Sequence, residues 1–228
     1  MNDKQKVVAI DGPSGSGKST TAKLVANDLG ALYIDTGAMF RAIGLFCDKN
    51  NVPFEEGTEL FNTLKDIKLE YGISEEILIT INGEDLTSAI REHNVSDLAS
   101  KISTLPMVRT FLLEFQRDLA RNQICVMEGR DIGTVVFPQA FCKVFLSASD
   151  EVRAQRRLLE LEKRGQKGHS LESILKDVKQ RDQRDASREV APLKQASDAT
   201  LVDTSNLSIE EVVKEIVTLA KSKMGSLS

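Results

Sequence analysis

The sequence predicts an α/β protein: a doubly wound, five-stranded parallel sheet with helices on both faces. Three observations predict it. Short β-branched apolar runs alternate with segments of helical periodicity along most of the 228 residues. A glycine-rich loop lies between the first such run and the first helical segment. One stretch in the first half, of alternating apolar and polar residues, breaks the rhythm as an insertion would.

Taken in order, "KVVAI", "ALYI", "QICVM", "KVFLS" and "TLVD" are too short and too β-branched for helices, and read as the five strands. Helical spacing runs over Ser19–Leu29, Ala38–Lys49, Pro106–Arg121, Asp150–Arg164, Ser170–Ser187 and Ile209–Lys223. Gly30 suits a helix stop and Pro106 a first helical position. The interruption is Asp66–Ile90, with turn signals at Gly72-Ile73-Ser74 and Asn82-Gly83; it predicts a small antiparallel meander. A polar tail follows Lys223.

Composition narrows the chemistry. An apolar fraction of 41% and a charged fraction of 28% are those of a soluble protein, and a net charge of −4 argues against non-specific nucleic-acid binding. No run approaches the ~20 apolar residues of a membrane span, and the first residues lack a signal-peptide core. A cytoplasmic, monomeric protein with no nucleic-acid or membrane partner is expected. Cys47, Cys125 and Cys142 form no C-x-x-C pair and read as reduced, buried thiols. With only His93 and His169, a histidine zinc site or a Ser-His-Asp triad is hard to build.

Gly12-Pro13-Ser14-Gly15-Ser16-Gly17-Lys18-Ser19, followed by Thr20, matches G-x-x-x-x-G-K-[ST]. Its glycines let backbone N–H groups wrap a phosphate, Lys18 can reach the β- and γ-phosphates, and the Ser19 hydroxyl can ligate Mg²⁺. A strand runs in and a helix runs out with its positive end at the loop. Ligands of open parallel sheets gather beyond the strands' carboxyl ends. Asp35, Thr36 and Arg41 follow the second strand, and Glu128, Arg130 and Asp131 follow the third. Glu128 is the carboxylate expected near the waters of Mg²⁺.

In "SLESILKDVKQRDQRDASR", Leu171, Ile174, Leu175 and Val178 form an inward stripe that continues onto Arg181, Asp185 and Arg188. Two readings stand side by side: a helix that outruns the core, with Asp182 and Arg184 solvated, or a polar cleft for a phosphate and sugar hydroxyls. Arg153, Arg156 and Arg157 share one face of the preceding helix, and "RGQKGHS" joins the two. That pair reads either as a lid carrying positive charge over a triphosphate or as an exposed helix balanced by Glu151, Glu160 and Glu162.

Phosphoryl transfer runs mainly on positioning and charge neutralisation. An alcohol acceptor would call for a carboxylate base, whereas a phosphate monoester, with a second pKa of ~6, is already largely ionised at neutral pH. Many arginines and almost no histidine favour the phosphate acceptor.

With the loop, Thr36-Gly37 and Arg41, "EGRDIGTVVFP" and "RDQRDASREVAPL", the chain resembles the bacterial cytidylate kinases, P-loop nucleoside-monophosphate kinases, from about Val7 to Lys223. The resemblance implies ATP on Gly12 to Thr20 with Mg²⁺, and transfer of its γ-phosphoryl to CMP or dCMP. It implies that Arg41, Arg130 and Arg188 grip the acceptor phosphate beside Thr36. Arg181 and Asp185 would contact the ribose, and Ser100, Arg109 and Asp131 the base. Lys18, Arg130 and the lid arginines Arg153, Arg156 and Arg157 would stabilise the transferring group. It divides the chain into a core with the phosphate loop (1–36) and a monophosphate-binding region (37–108) that includes the meander (about 66–90). Further core (109–149), a helical lid (150–188), and core with the last helix (189–228) follow. The family commonly has Asp-Gly-Arg-Asp where this chain has Glu128-Gly129-Arg130-Asp131, so the carboxylate reaches one methylene further.

Three alternatives set limits. Another P-loop kinase, for UMP, AMP, shikimate or a sugar acid, is opposed by the base-edge residues and the meander. A hydrolytic switch is opposed by the absence of N-K-x-D. A non-catalytic nucleotide-holding module is opposed by intact Lys18 and Ser19.

Overall fold

The computed structural model describes residues 5–225; the reading of the first four residues, and the last three of the polar tail (226–228), lie outside the described residues. Along the chain come β1 (Gln5–Asp11), α1 (Lys18–Leu29), β2 (Leu32–Asp35), α2 (Thr36–Lys49) and α3 (Thr58–Asp66). The middle holds β3 (Leu69–Tyr71), β4 (Ile79–Ile81), β5 (Glu84–Asp85), α4 (Val95–Ile102) and α5 (Pro106–Leu119). The last part holds β6 (Cys125–Gly129), β7 (Ala140–Ser147), α6 (Asp150–Lys163), α7 (Leu171–Ser187), β8 (Thr200–Asp203) and α8 (Ile209–Met224). Residues 36–116 form one compact unit, and the rest of the described chain forms a second, larger one.

In the larger unit all five expected strands are present and parallel, in the order β2-β6-β1-β7-β8. Side chains alternate across a strand, so Val8 and Ile10 of β1 pack in one core with Ala22, Val25 and Ala26 of α1 and Val212, Ile216 and Ala220 of α8. Burying Val8 and Ile10, both 0% exposed, contributes about 1.5–3 kcal/mol each. Residues 7 and 9 of β1 are buried as well, as a doubly covered parallel strand requires. Register places the strand ends level: Asp35 lies opposite Glu128, and Asp11 opposite Gly129. That alignment gathers acidic groups at the carboxyl edge, next to the loop that leaves β1.

α6 and α7 close a small core of their own, Ala154 and Leu161 against Ile174 and Val178. Leu171, read as the first member of that stripe, is 42% exposed, because the α7 stripe meets α6 only from Ile174 onward.

The smaller unit contains the expected meander, a three-stranded antiparallel sheet in the order β3-β4-β5. Asn82 and Gly83 both take positive φ, 53° and 82°, the conformation of a two-residue hairpin turn. α2 packs against α4 and β4. The meander ends sooner than its alternating pattern indicates: Ile90 lies in a short 3₁₀ turn, Ala89–Arg91. All three cysteines are buried, and burial pushes the thiols of Cys47 and Cys142 up to about 11 and that of Cys125 to about 12.

Candidate active site

The phosphate loop is fixed by contacts a side chain would destroy. Gly12 has φ 151°, and a Cβ there would lie 2.2 Å from the Leu146 carbonyl oxygen; at Gly15, with φ 77°, it would lie 2.8 Å from that of Arg153. Gly17, left-handed, precedes α1 with no side-chain cap, so the first helical N–H groups are left for an anion. Lys18 is buried, donating to Pro13 O at 2.6 Å and reaching Ser16 Oγ at 3.3 Å. Burial, then the nearby Arg130, hold its ammonium well below the ordinary lysine pKa, and Glu128 and Asp182 only partly offset them. A buried cation crowded by arginines is stabilised by any anion placed beside it.

At the strand ends, Glu128 accepts from the Tyr33 hydroxyl at 2.7 Å and from the Ser19 hydroxyl. Burial, then repulsion from Asp35, raise its pKa. Ser19 and Glu128, named separately from sequence, therefore meet as hard oxygen donors at the mouth of the loop.

A second cluster continues from β6 to the end of α7. Arg130 Nε donates to Asp185 Oδ2 at 2.9 Å, and Arg188 lies 3.5 Å from Asp131 Oδ1. Burial pushes the Asp185 carboxyl up, but Arg130, Arg181 and Arg188 outweigh it and hold the group below its ordinary pKa. Of the two readings of the α7 charges, the structure supports the polar cluster: Asp185 and Arg188 are buried. Asp182 is not merely solvated: it accepts from the Ser14 backbone N–H at 3.3 Å and pairs with Arg153.

The three α6 arginines make different contacts. Arg153 is 4% exposed and donates to the carbonyls of Ala148 and Ser14, at 3.1 and 2.9 Å, as well as pairing with Asp150 and Asp182. Arg156 donates to Thr204 Oγ1 and Thr204 O, at 2.8 and 2.6 Å. Arg157 donates to Glu160 at 2.9 Å. A cleft of about 700 Å³ opens along the phosphate loop, lined from Gly15 to Thr21 on one side and by Arg156, Arg157, Thr204, Leu207 and Ile209 on the others. It has the size of a small-molecule site and is polar at the loop and apolar at Leu207 and Ile209.

The smaller unit holds the remaining sequence-named residues. Thr36 opens α2 and Ser100 lies in α4, both buried, and Arg41 is half-buried on α2. The Arg109 guanidinium stands over the Phe40 ring, 5.4 Å from its centroid, and donates to Ser103 O at 3.2 Å.

A family model described as cytidylate kinase matches residues 8–222. The chain belongs to that family. It is 47% identical over 216 residues to the cytidylate kinase of Thermosipho melanesiensis, covering 95% of this chain and 97% of that protein. It is 44% identical over 223 residues to a bifunctional pantoate ligase/cytidylate kinase of Prochlorococcus marinus, 97% of this chain but 43% of that protein. Among solved structures, an uncharacterized protein from Eubacterium ventriosum shares the fold, with TM-score 0.50 and 13% identity over 95% of this chain and 98% of the other.

Sequence reasoning gave no site role to Asp11, Tyr33, Asp182 or Thr204, which make the contacts just described or taken up below. The signals that could have drawn attention were the place of Asp11 directly before Gly12 and that of Asp182 within "RDQRDASREVAPL".

Proposed function

We propose that the chain transfers the γ-phosphoryl group of ATP to CMP or dCMP, giving ADP and CDP or dCDP. The observation that carries this reading is the cluster of Arg130, Arg181 and Arg188 around Asp185, close enough to Lys18 for Arg130 and Arg181 to depress its pKa. Such a cluster suits an anionic acceptor, because two phosphates must be brought together against their own repulsion. The acceptor phosphate is assigned to Arg41, Arg130 and Arg188 with Thr36, and the ribose to Arg181 and Asp185.

The base is assigned to Ser100, Arg109 and Asp131. Cytosine offers an amino donor beside two acceptors; a carboxylate accepts from the amine while Arg and Ser donate to the ring. Uracil reverses the donor at that edge and leaves buried polar groups unpaired.

The cleft along Gly15 to Thr21, which overlaps the loop Gly12 to Thr20, suits the donor nucleotide, with apolar Leu207 and Ile209 in its lining. The Ser19 hydroxyl and Glu128 carboxylate fit Mg²⁺, which takes oxygen ligands and is held largely through substrate phosphates and water. They would hold it, Glu128 through water, and it would supply neutralisation of the phosphate charge. Lys18, Arg130 and Arg157 stabilise the transferring group on this reading. Arg153 joins them on exchanging its contacts with Ser14 and Asp182.

ADP release from Mg·ATP, with CMP, dCMP, UMP, AMP, GMP and no acceptor side by side, tests the assignment. Fast release with CMP and dCMP, slow release with UMP and almost none without acceptor is expected. Equal release with and without acceptor would make the chain an ATPase.

A further inference from the structure

Asp11 is the last residue of β1 and directly precedes the phosphate loop, yet its side chain serves a different segment. Its Oδ1 accepts from the Ile132 N–H and its Oδ2 from the Gly133 N–H, both at 2.8 Å. These are the first two amides after Arg130-Asp131. They open a five-residue π-helical turn, Ile132–Val136, whose Val135 and Val136 N–H groups bond back to Asp131 O at 2.9 and 3.1 Å. The leading N–H groups of such a turn have no partner within it; here one carboxylate from another strand takes both. Register sets this up, since Asp11 lies opposite Gly129 on β6.

The arrangement costs the protein the burial of a carboxylate, and burial raises the Asp11 pKa to about 6 despite the two amides. A small apolar residue would avoid that cost but would leave both amides buried and unmatched. Space around the contact is tight: a Cβ on Gly133 would lie 3.4 Å from Asp11 Oδ2 and 3.1 Å from Lys143 Cδ. What the turn carries outward is Asp131 toward Arg188, and Arg130 toward Asp185.

We propose that Asp11 is a positioning residue for acceptor recognition: by holding the Ile132 and Gly133 amides it fixes where Arg130 and Asp131 meet CMP. The proposal rests on the assignment of those two residues to the acceptor. One residue then sets both sides of the reaction, its backbone leading into the donor loop and its side chain holding the acceptor turn.

Asp11→Asn tests it. The amide keeps one accepting oxygen and turns an NH₂ donor against the other N–H, so the turn must shift. Because misplacement by about 1 Å can cost about 10²-fold, kcat/KM for CMP should fall by roughly that factor, with the preference for CMP over UMP reduced and KM for ATP little changed. Gly133→Ala, which sets a methyl against the same carboxylate and crowds the Lys143 side chain beside it, should move the same parameters in the same direction by less; it decides the matter if Asp11→Asn does not fold. Asp131→Ala is run beside them. If it leaves CMP kinetics and the CMP preference unchanged, the base assignment itself is wrong. If it lowers both while Asp11→Asn and Gly133→Ala alter only thermal stability, Asp11 is structural and the proposal falls. Equal losses for CMP and ATP in Asp11→Asn would also overturn it.

Discussion

Asp11 and Asp185 are buried carboxylates of the same unit, and their pKa values move in opposite directions. Burial raises Asp11 to about 6, because two backbone amides and a more distant lysine offset it only in part. Burial also works against Asp185, but three guanidiniums reverse the sign. Partial dipoles fix the shape of a turn without repaying desolvation in full; whole charges do repay it. The first carboxylate organises backbone, and the second keeps a group of cations together where the proposed function places an anionic substrate.

The sharpest way to break this contrast is to remove the acid from the arginine cluster. Asp185→Ala leaves Arg130 and its neighbours with an uncompensated charge, and loss of one partner of a buried pair costs about 3–5 kcal/mol. Urea unfolding should show that loss, and a change within about 0.5 kcal/mol, the range of an ordinary surface substitution, would mean the guanidiniums do not depend on Asp185.

Lys18 lies within the field of both regions: its charge lowers Asp11, and two partners of Asp185 depress its own pKa. Lys18→Ala should retain the fold and lower turnover by at least about 10²–10³-fold, the scale for one well-placed donor to developing charge. Steady-state rates near those of the parent would remove Lys18 from the chemistry.

A smaller effect separates the two acids by pH. A carboxyl raised on folding from 3.8 to about 6 makes stability fall as pH rises across that window, here by about 3 kcal/mol. Unfolding measured from pH 4 to 7 should therefore show a downward component in the parent chain that is absent from Asp11→Asn. Asp185 has the opposite sign: its contribution is complete above its ordinary value of 3.8 and is lost as pH falls below it. The stability gap between the parent and Asp185→Asn should thus close on the acid side. Parallel profiles for all three proteins would refute the contrast.

Much of the architecture was legible because periodicity and loop chemistry are local. Each of the five strands and each of the six long helices lies where its apolar spacing put it, and the Asn82-Gly83 turn follows from two residues. α3 escaped notice because its nine residues bury only Leu60 and Leu64, too short a stripe to read as a helix. α4, eight residues long, follows the meander without a break strong enough to mark it. The π-helical turn could not be read at all, since its partner carboxylate lies 121 residues away in sequence. The charges of α7 were ambiguous for a related reason: whether Asp182 meets solvent or the Ser14 amide depends on where the phosphate loop lies. Motifs named the residues proposed to face phosphate, whereas the Asp11 and Thr204 contacts that hold some of their neighbours in place emerged only from the fold.

The raised thiol pKa values bear on how this protein can be studied. With Cys47, Cys125 and Cys142 shielded and pushed to about 11 or above, at neutral pH only about one in 10⁴ or fewer of each is the reactive thiolate. Alkylating reagents should therefore pass the native chain by. A cysteine introduced at exposed Lys167, between Gly165 and Gly168 in the connection from α6 to α7, would take up label almost alone. A fluorophore there would report on that connection during turnover, against a background the protein's own packing has already silenced.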